Sequence, residues 1–303
     1  MAVLGVRRAL LVANPASRNG ERRIQTAVRA LARAGCALEV RRTTARGDAG
    51  RHAAKWRDSV DAVFTLGGDG TVMEVLEALC GSGVAVGIIP AGTGNLLARA
   101  LRIPLDVDRA VDVLTSGVRR TVDLGRIHGD PPRVFAFAAG VGIDATMIER
   151  TTALAKRRLG VLAYVIAASG AALRHDRFHV RIVTEHGTIE RDASLTLVAN
   201  FGSVLHGRFA LGPGITPDDG LLDVCVYAPH SGWDAVQMIW RLVTKDYSGN
   251  GRMYFARARE VVIECDPPRM FQADGEIIGM SPVRISVDAG AATLLVPTEE
   301  VAK

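Results

Sequence analysis

Gly67-Gly68-Asp69-Gly70-Thr71 lies between an apolar run, Ala62 to Leu66, and a helix-like segment, Val72 to Cys80. These residue types in that setting suit a phosphate loop. Glycine lets the backbone take positive φ and come close to a ligand, and the start of the next helix offers unpaired N–H groups and a positive dipole end to an anion. Asp69 adds a carboxylate within reach of a phosphate-bound Mg2+ or a hydroxyl network. Taken alone, a glycine-rich turn is equally a tight connection. A second loop of the same kind, Pro90-Ala91-Gly92-Thr93-Gly94-Asn95, follows the apolar run Val84 to Ile89 and precedes Leu96 to Leu101. A third polar loop, Asn14-Pro15-Ala16-Ser17, follows the run Ala9 to Ala13.

The elements that must position these loops alternate. Ile24, Val28 and Leu31 share a helical face that stops at Gly35, Leu38 to Arg41 is strand-like, and a polar helix candidate runs through Trp56. Strand and helix repeated with short connections predict a doubly wound parallel α/β sheet over residues 1–123. Ligands of such sheets bind beyond the carboxyl ends of the strands, where all three loops would lie. From 124 to 303 the texture changes to turn-linked strands: Val134 to Ala138, Phe178 to Thr184, Leu195 to Phe201, Leu221 to Tyr227, Val261 to Cys265 and Val283 to Val287. An antiparallel β-sandwich is expected there, with two inserted helices, Leu159 to Leu173 and Trp233 to Val243; a return of the C-terminal tail to the first domain is left open.

Composition narrows the function classes. Apolar residues make up 48% of the 303 and charged residues 23%, which describes a folded chain, and the net charge of +5 is spread over arginine pairs without interleaved aromatics. Attraction to an anionic ligand or an anionic membrane surface fits better than nucleic-acid binding. Cys36, Cys80, Cys225 and Cys265 stand far apart without metal-site spacing and read as thiols of a reducing compartment. Arg7-Arg8 interrupts the apolar N-terminus, so a first strand is expected in place of a signal peptide, and no run is long enough to span a bilayer. A P-loop is excluded, because the only lysines are Lys55, Lys156, Lys245 and Lys303. Gly140-Val141-Gly142-Ile143-Asp144-Ala145 fits a loose dinucleotide pattern but lacks the acid that would hold a ribose.

Taken in order, Asn14-Pro15-Ala16-Ser17, Gly67 to Thr71, Gly92-Thr93-Gly94-Asn95, Asp218 to Asp223 and Asp274-Gly275-Glu276 resemble the diacylglycerol/sphingosine-type lipid kinase family. The resemblance covers nearly the whole chain; the first glycine loop by itself also resembles those of NAD kinases and phosphofructokinases. It implies an ATP-dependent kinase with an α/β nucleotide domain, a β-sandwich domain and an active site in the cleft between them. ATP would be held by Asn14, Pro15, Ala16, Ser17, Arg18, Thr43, Gly67, Gly68, Asp69, Gly70, Thr71 and Thr93. Glu276 would be the general base, supported by Asp274, and Mg2+ would bind Asp219 with the carbonyls of Thr216 and Leu221. Many family members carry an acid directly after the loop asparagine, where this chain has Leu96 and Leu97.

The expected enzyme is cytoplasmic, peripheral to the inner face of the membrane, and phosphorylates diacylglycerol or a related lipid. No nucleic-acid partner is expected, and a homodimer is left open. The alternatives are an NAD-kinase-like enzyme with a soluble acceptor and a nucleotide-binding module without turnover. Read from residues alone, Asp274-Gly275 is a hairpin turn with Glu276 as a strand residue, and Asp218 to Asp223 is an ordinary turn. A basic collar, Lys156-Arg157-Arg158, before Leu159, Leu162, Val165 and Ile166 is either a membrane wedge or the end of a buried helix.

Overall fold

A computed structural model describes residues 6–16, 20–142, 177–204, 209–248 and 251–298. The expected helix Leu159 to Leu173 and the basic collar before it lie outside the described residues, as do Ser17 and Arg18. The chain divides into two compact units, one of residues 1–122 with 290–303, the other of residues 123–289.

The first unit is built on parallel strands in the order β2-β1-β3-β4, namely β1 (Arg8–Ala13), β2 (Ala37–Arg42), β3 (Ala62–Gly67) and β4 (Ala85–Pro90). Every residue of β3 and β4 is buried, the pattern of strands covered on both faces. Two helices between the strands, α1 (Gly20–Arg33) and α2 (Asp48–Trp56), bury Ile24, Ala27 and Leu31, and Ala49 and Ala53, respectively. Helix α1 packs with α5 (Val107–Thr115), and α2 packs with α3 (Asp69–Ala78). Because β2 and β3 flank β1 on opposite sides, the winding reverses between β1 and β3. That reversal opens a crevice at the carboxyl ends of those two strands, where the loops after Ala13 and Gly67 emerge.

The second unit is antiparallel. One of its sheets runs β14-β13-β10-β7-β16-β17: β14 (Met253–Ala258), β13 (Leu222–Tyr227), β10 (Leu195–Ala199), β7 (Ala138–Val141), β16 (Met270–Ala273) and β17 (Glu276–Met280). Facing it are β8 (Phe178–Thr184), β9 (Gly187–Ala193), β15 (Glu260–Asp266) and the start of β18 (Val283–Val296). Val198, Val224, Val226 and Phe271 from the first sheet meet Val180, Ile182, Ile263 and Ile285 from the other in one core. Each such side chain contributes about 1.5–3 kcal/mol by leaving water. The fold is therefore the expected one, a parallel α/β sheet followed by a β-sandwich. Several element ends shift by one to three residues, and two differences are larger. The run Val134 to Ala138 is split into β6 (Arg133–Phe135) and β7, and β18 continues past Val287, its end pairing in parallel with β4 in the first unit.

Candidate active site

In the first unit the two glycine loops touch through their backbones. Gly68 leads from β3 into α3, and a Cβ on Gly92 would come within 2.5 Å of the Gly68 Cα. A side chain on Gly94 would meet Asp69 Oδ2 at 2.7 Å, and one on Gly67 would meet Thr71 Oγ1 at 2.6 Å. These glycines are needed for close approach rather than for a special φ. The second loop is held shut by Asn95, whose Oδ1 accepts from the Gly92 N–H and whose Nδ2 donates to the Gly92 carbonyl, each at 2.9 Å. Arg23 donates to the Ala91 carbonyl and Arg99 to the Gly94 carbonyl, both at 3.0 Å.

Asp69 bridges the loops. Its Oδ1 accepts the Leu96 N–H at 2.6 Å, at the start of α4 (Leu96–Ala100). Burial pushes the carboxyl up from its ordinary value, against the amides of Leu96, Asn95 and Leu97, which favour the charged form. The missing acid at position 96 is thus bypassed, since the connection to the second loop runs through the Leu96 backbone. The N–H groups at the start of α4 are occupied by Asp69, whereas those at Gly68 to Thr71 open the longer α3. Thr71 is buried and Thr93 exposed.

The first polar loop joins the same edge. Asn14 donates its backbone N–H to the Leu66 carbonyl at 2.8 Å, and its Oδ1 accepts the Ala16 N–H at 2.9 Å, so the side chain shapes the Pro15-Ala16 turn. Thr43, buried, donates its N–H to the Ala13 carbonyl at 2.9 Å.

In the second unit, Asp274 and Gly275 join β16 to β17 with φ of 47° and 86°, the paired positive values of a tight hairpin. The Asp274 carboxylate accepts the backbone N–H groups of Ala136, Phe137 and Ala138 at 2.7, 3.0 and 3.0 Å. The strand breaks between β6 and β7 at these amides: Ala136 and Phe137, which lie between the two strands, give their N–H groups to Asp274. The same capture fixes the start of β17, where Glu276 is 39% exposed, with its Oε2 3.2 Å from Arg133 Nη2. A carboxylate on a braced turn, paired yet open to solvent, can take a proton from a hydroxyl.

The third cluster is the loop before β13. Asp219 accepts the Thr216 hydroxyl at 2.8 Å and the Leu221 N–H at 3.1 Å, so Thr216, Asp219 and Leu221 are brought together. Arg257 on β14 contacts Asp219 and lies 3.4 Å from Asp223. Asp123 Oδ2 accepts the Gly220 N–H at 2.7 Å. Asp223 is buried, its Oδ2 has no hydrogen-bond partner among the described residues, and burial pushes its carboxyl up to about 6. A carboxylate loop with an unsatisfied buried oxygen suits a hard, oxygen-seeking cation, for which Arg257 is the competing counter-charge.

Sequence patterns did not single out Arg23, Arg99, Arg133 or Arg257. Arg23, Arg133 and Arg257 act on partners that only folding brings near, Arg99 on a carbonyl five residues back, and an arginine in a surface-type pattern carries no local signal.

Residues 8–127 match the model of the diacylglycerol kinase catalytic domain, and residues 138–296 match that of the YegS C-terminal NAD kinase beta sandwich-like domain. A Mycobacterium tuberculosis protein named diacylglycerol kinase is 32% identical over 260 residues, which is 83% of this chain and 83% of that protein. An uncharacterized Synechocystis protein is 31% identical over 242 residues, 78% of this chain, and the chain matches only 55% of its length. A solved structure from Bacillus anthracis superposes with a TM-score of 0.82 at 24% identity, covering 96% of this chain and 95% of that one. A second from the same organism, named a diacylglycerol kinase, gives 0.77 at 23% identity over 96% and 97% of the two chains. Both share the fold.

Proposed function

This chain belongs to the diacylglycerol kinase and YegS-like lipid kinase family, and from that premise we propose that it transfers the γ-phosphoryl group of ATP to the hydroxyl of diacylglycerol or a related lipid. The observation that carries this reading is the Asp274-Gly275 hairpin, whose carboxylate is locked by three backbone amides so that Glu276 is presented at a fixed place. Phosphoryl transfer asks a protein chiefly for positioning, charge neutralisation and a base. Glu276 takes the proton of the lipid hydroxyl as its oxygen bonds to the γ-phosphorus. The bond from that phosphorus to the bridging oxygen breaks, its electron pair leaves with ADP, and Glu276 returns the proton to solvent.

On the nucleotide side, the amides of Gly68 to Thr71 and the N-terminus of α3 face the phosphates, and Asn14, Pro15, Ala16, Thr43 and Thr93 line the neighbouring edge. Mg2+ accompanying ATP supplies neutralisation of phosphate charge. A structural Mg2+ would be held by Asp219 with the carbonyls of Thr216 and Leu221. Asp219→Ala is therefore expected to lower the melting midpoint and to abolish any stabilisation by Mg2+, because a cation that binds only the folded state stabilises it by mass action. Melting curves with chelator and with Mg2+ check this; a variant that melts like the parent in both would remove the cation from this loop.

Phosphatidic acid formed from diacylglycerol in mixed micelles with ATP and Mg2+, read by mass spectrometry of the lipid, tests the activity itself. ATP consumption without a phosphorylated lipid would contradict it. The second family model carries NAD kinase in its description, so NAD belongs among the acceptors tried.

A further inference from the structure

Helix α6 (Gly232–Thr244) has two apolar faces, and among the described residues only one is buried. Ala235, Met238 and Leu242 are buried against the second unit. At 100° per residue, Trp233, Val236, Trp240 and Val243 line up on the opposite side. They are 69%, 54%, 68% and 44% exposed. Two of the chain's three tryptophans thus stand in solvent on one stripe of one helix.

We infer that this stripe is the surface by which the protein docks on a lipid bilayer, an inference that rests on the lipid-kinase reading above. The chemistry favours that occupant. Tryptophan is the side chain most at home at the boundary of headgroups and acyl chains, where its ring is buried and its N–H stays hydrated. A helix of 13 residues, about 20 Å long, with one free apolar face and polar Gln237 and Thr244 beside it, is built to lie in that boundary. No helix among the described residues is long and apolar enough to cross a membrane.

The surrounding charge suits an anionic surface. Both nearby acids have internal cationic partners: Asp234 is paired with Arg252, and Asp246 lies 3.8 Å from Arg241. Lys245, exposed at the end of the helix, adds an outward cation. A second copy of the chain is the weaker occupant. Two tryptophans and two valines exposed to this extent offer on the order of 450 Å2, short of the roughly 800 Å2 per partner that a stable protein interface buries.

The helix is also anchored firmly enough to bear an insertion. The Ser231 hydroxyl oxygen accepts the Asp234 N–H at 3.1 Å, the Asp234 carboxylate accepts the His230 N–H at 3.0 Å, and Arg241 donates to the Ser248 carbonyl at 2.7 Å. Side chains pressed into lipid from such a helix would not unravel it.

The test uses the full chain and a double variant, Trp233→Ser with Trp240→Ser. It reads sedimentation with vesicles of phosphatidylcholine and phosphatidylglycerol, together with turnover on diacylglycerol in those vesicles and on a short-chain, monomeric diacylglycerol. The variant is expected to lose about tenfold or more in vesicle affinity, to lose bilayer turnover in step, and to keep turnover on the monomeric substrate. Parent tryptophan emission should shift to the blue on vesicles, and the variant's remaining Trp56 should not. Unchanged vesicle binding in the variant would overturn the inference. So would a parent dimer, seen by light scattering, that the substitutions dissociate. Vesicle binding lost in the variant while the parent phosphorylates no lipid would leave α6 as a docking face and sink the kinase reading instead.

Discussion

Replacing Glu276 by Gln is expected to reduce turnover by about a hundred- to ten-thousandfold while leaving ATP affinity within a few fold. The amide preserves the size of the side chain and an oxygen for Arg133, which sits 3.2 Å from the native carboxylate. It removes only the basicity. Asp274, not Glu276, holds the hairpin, so the variant should melt close to the parent. A base acts on the acceptor hydroxyl and makes no demand on the phosphates, which is why ATP binding by calorimetry should barely move. The rate that must fall is the single-turnover rate of lipid phosphorylation. Near-normal turnover would reduce Glu276 to a solvent-facing strand residue.

Asp69→Ala should damage the other half of the reaction. The native carboxylate takes the Leu96 N–H at 2.6 Å and lies against Gly94, so its loss frees the start of α4 and the contact between the two glycine loops. Losing a charged acceptor of a partly buried N–H costs about 1.5–3 kcal/mol, corresponding to roughly ten- to a hundredfold in apparent ATP affinity if the loops must stay closed to bind it. The Michaelis constant for ATP should rise while that for lipid stays near the parent value. Asp69→Asn, which keeps one acceptor oxygen, should fall between the two. Unchanged ATP and Mg2+ requirements in Asp69→Ala would show that the loops do not cradle the nucleotide.

The two substitutions separate what was legible in the chain from what was not. Glycine loops after apolar runs announced themselves because both signals are local: a buried strand needs continuous apolar residues, and a turn that meets another backbone has no room for Cβ. The parallel sheet and the sandwich followed from the same periodicities. What joins the loops is invisible at that level. Asp69 looked like a ligand for phosphate-bound metal, yet its carboxylate meets the Leu96 amide, and position 96 seemed to lack a partner only because backbone donors leave no mark in a sequence.

Distance along the chain hid the rest. Asp274 captures the amides at 136–138 from far away in sequence, at the place where a run that reads as one strand is broken. The far part of β18, Gly-Ala-Ala followed by Thr-Leu-Leu-Val, lacks the alternation of the strand's start because its end joins a parallel sheet buried on both faces. The helix at Trp233 to Val243 was readable as a helix. Its second apolar face was not, since a pattern shows which residues are apolar and only the packing shows which of them remain uncovered.

The most direct test of the central claim offers purified protein with Mg2+ and γ-labelled ATP a panel of diacylglycerol, ceramide, sphingosine and NAD. A lipid kinase that favours diacylglycerol should place label in phosphatidic acid, with far less in the sphingoid lipids and none in NAD. Label found only in NAD would contradict the account.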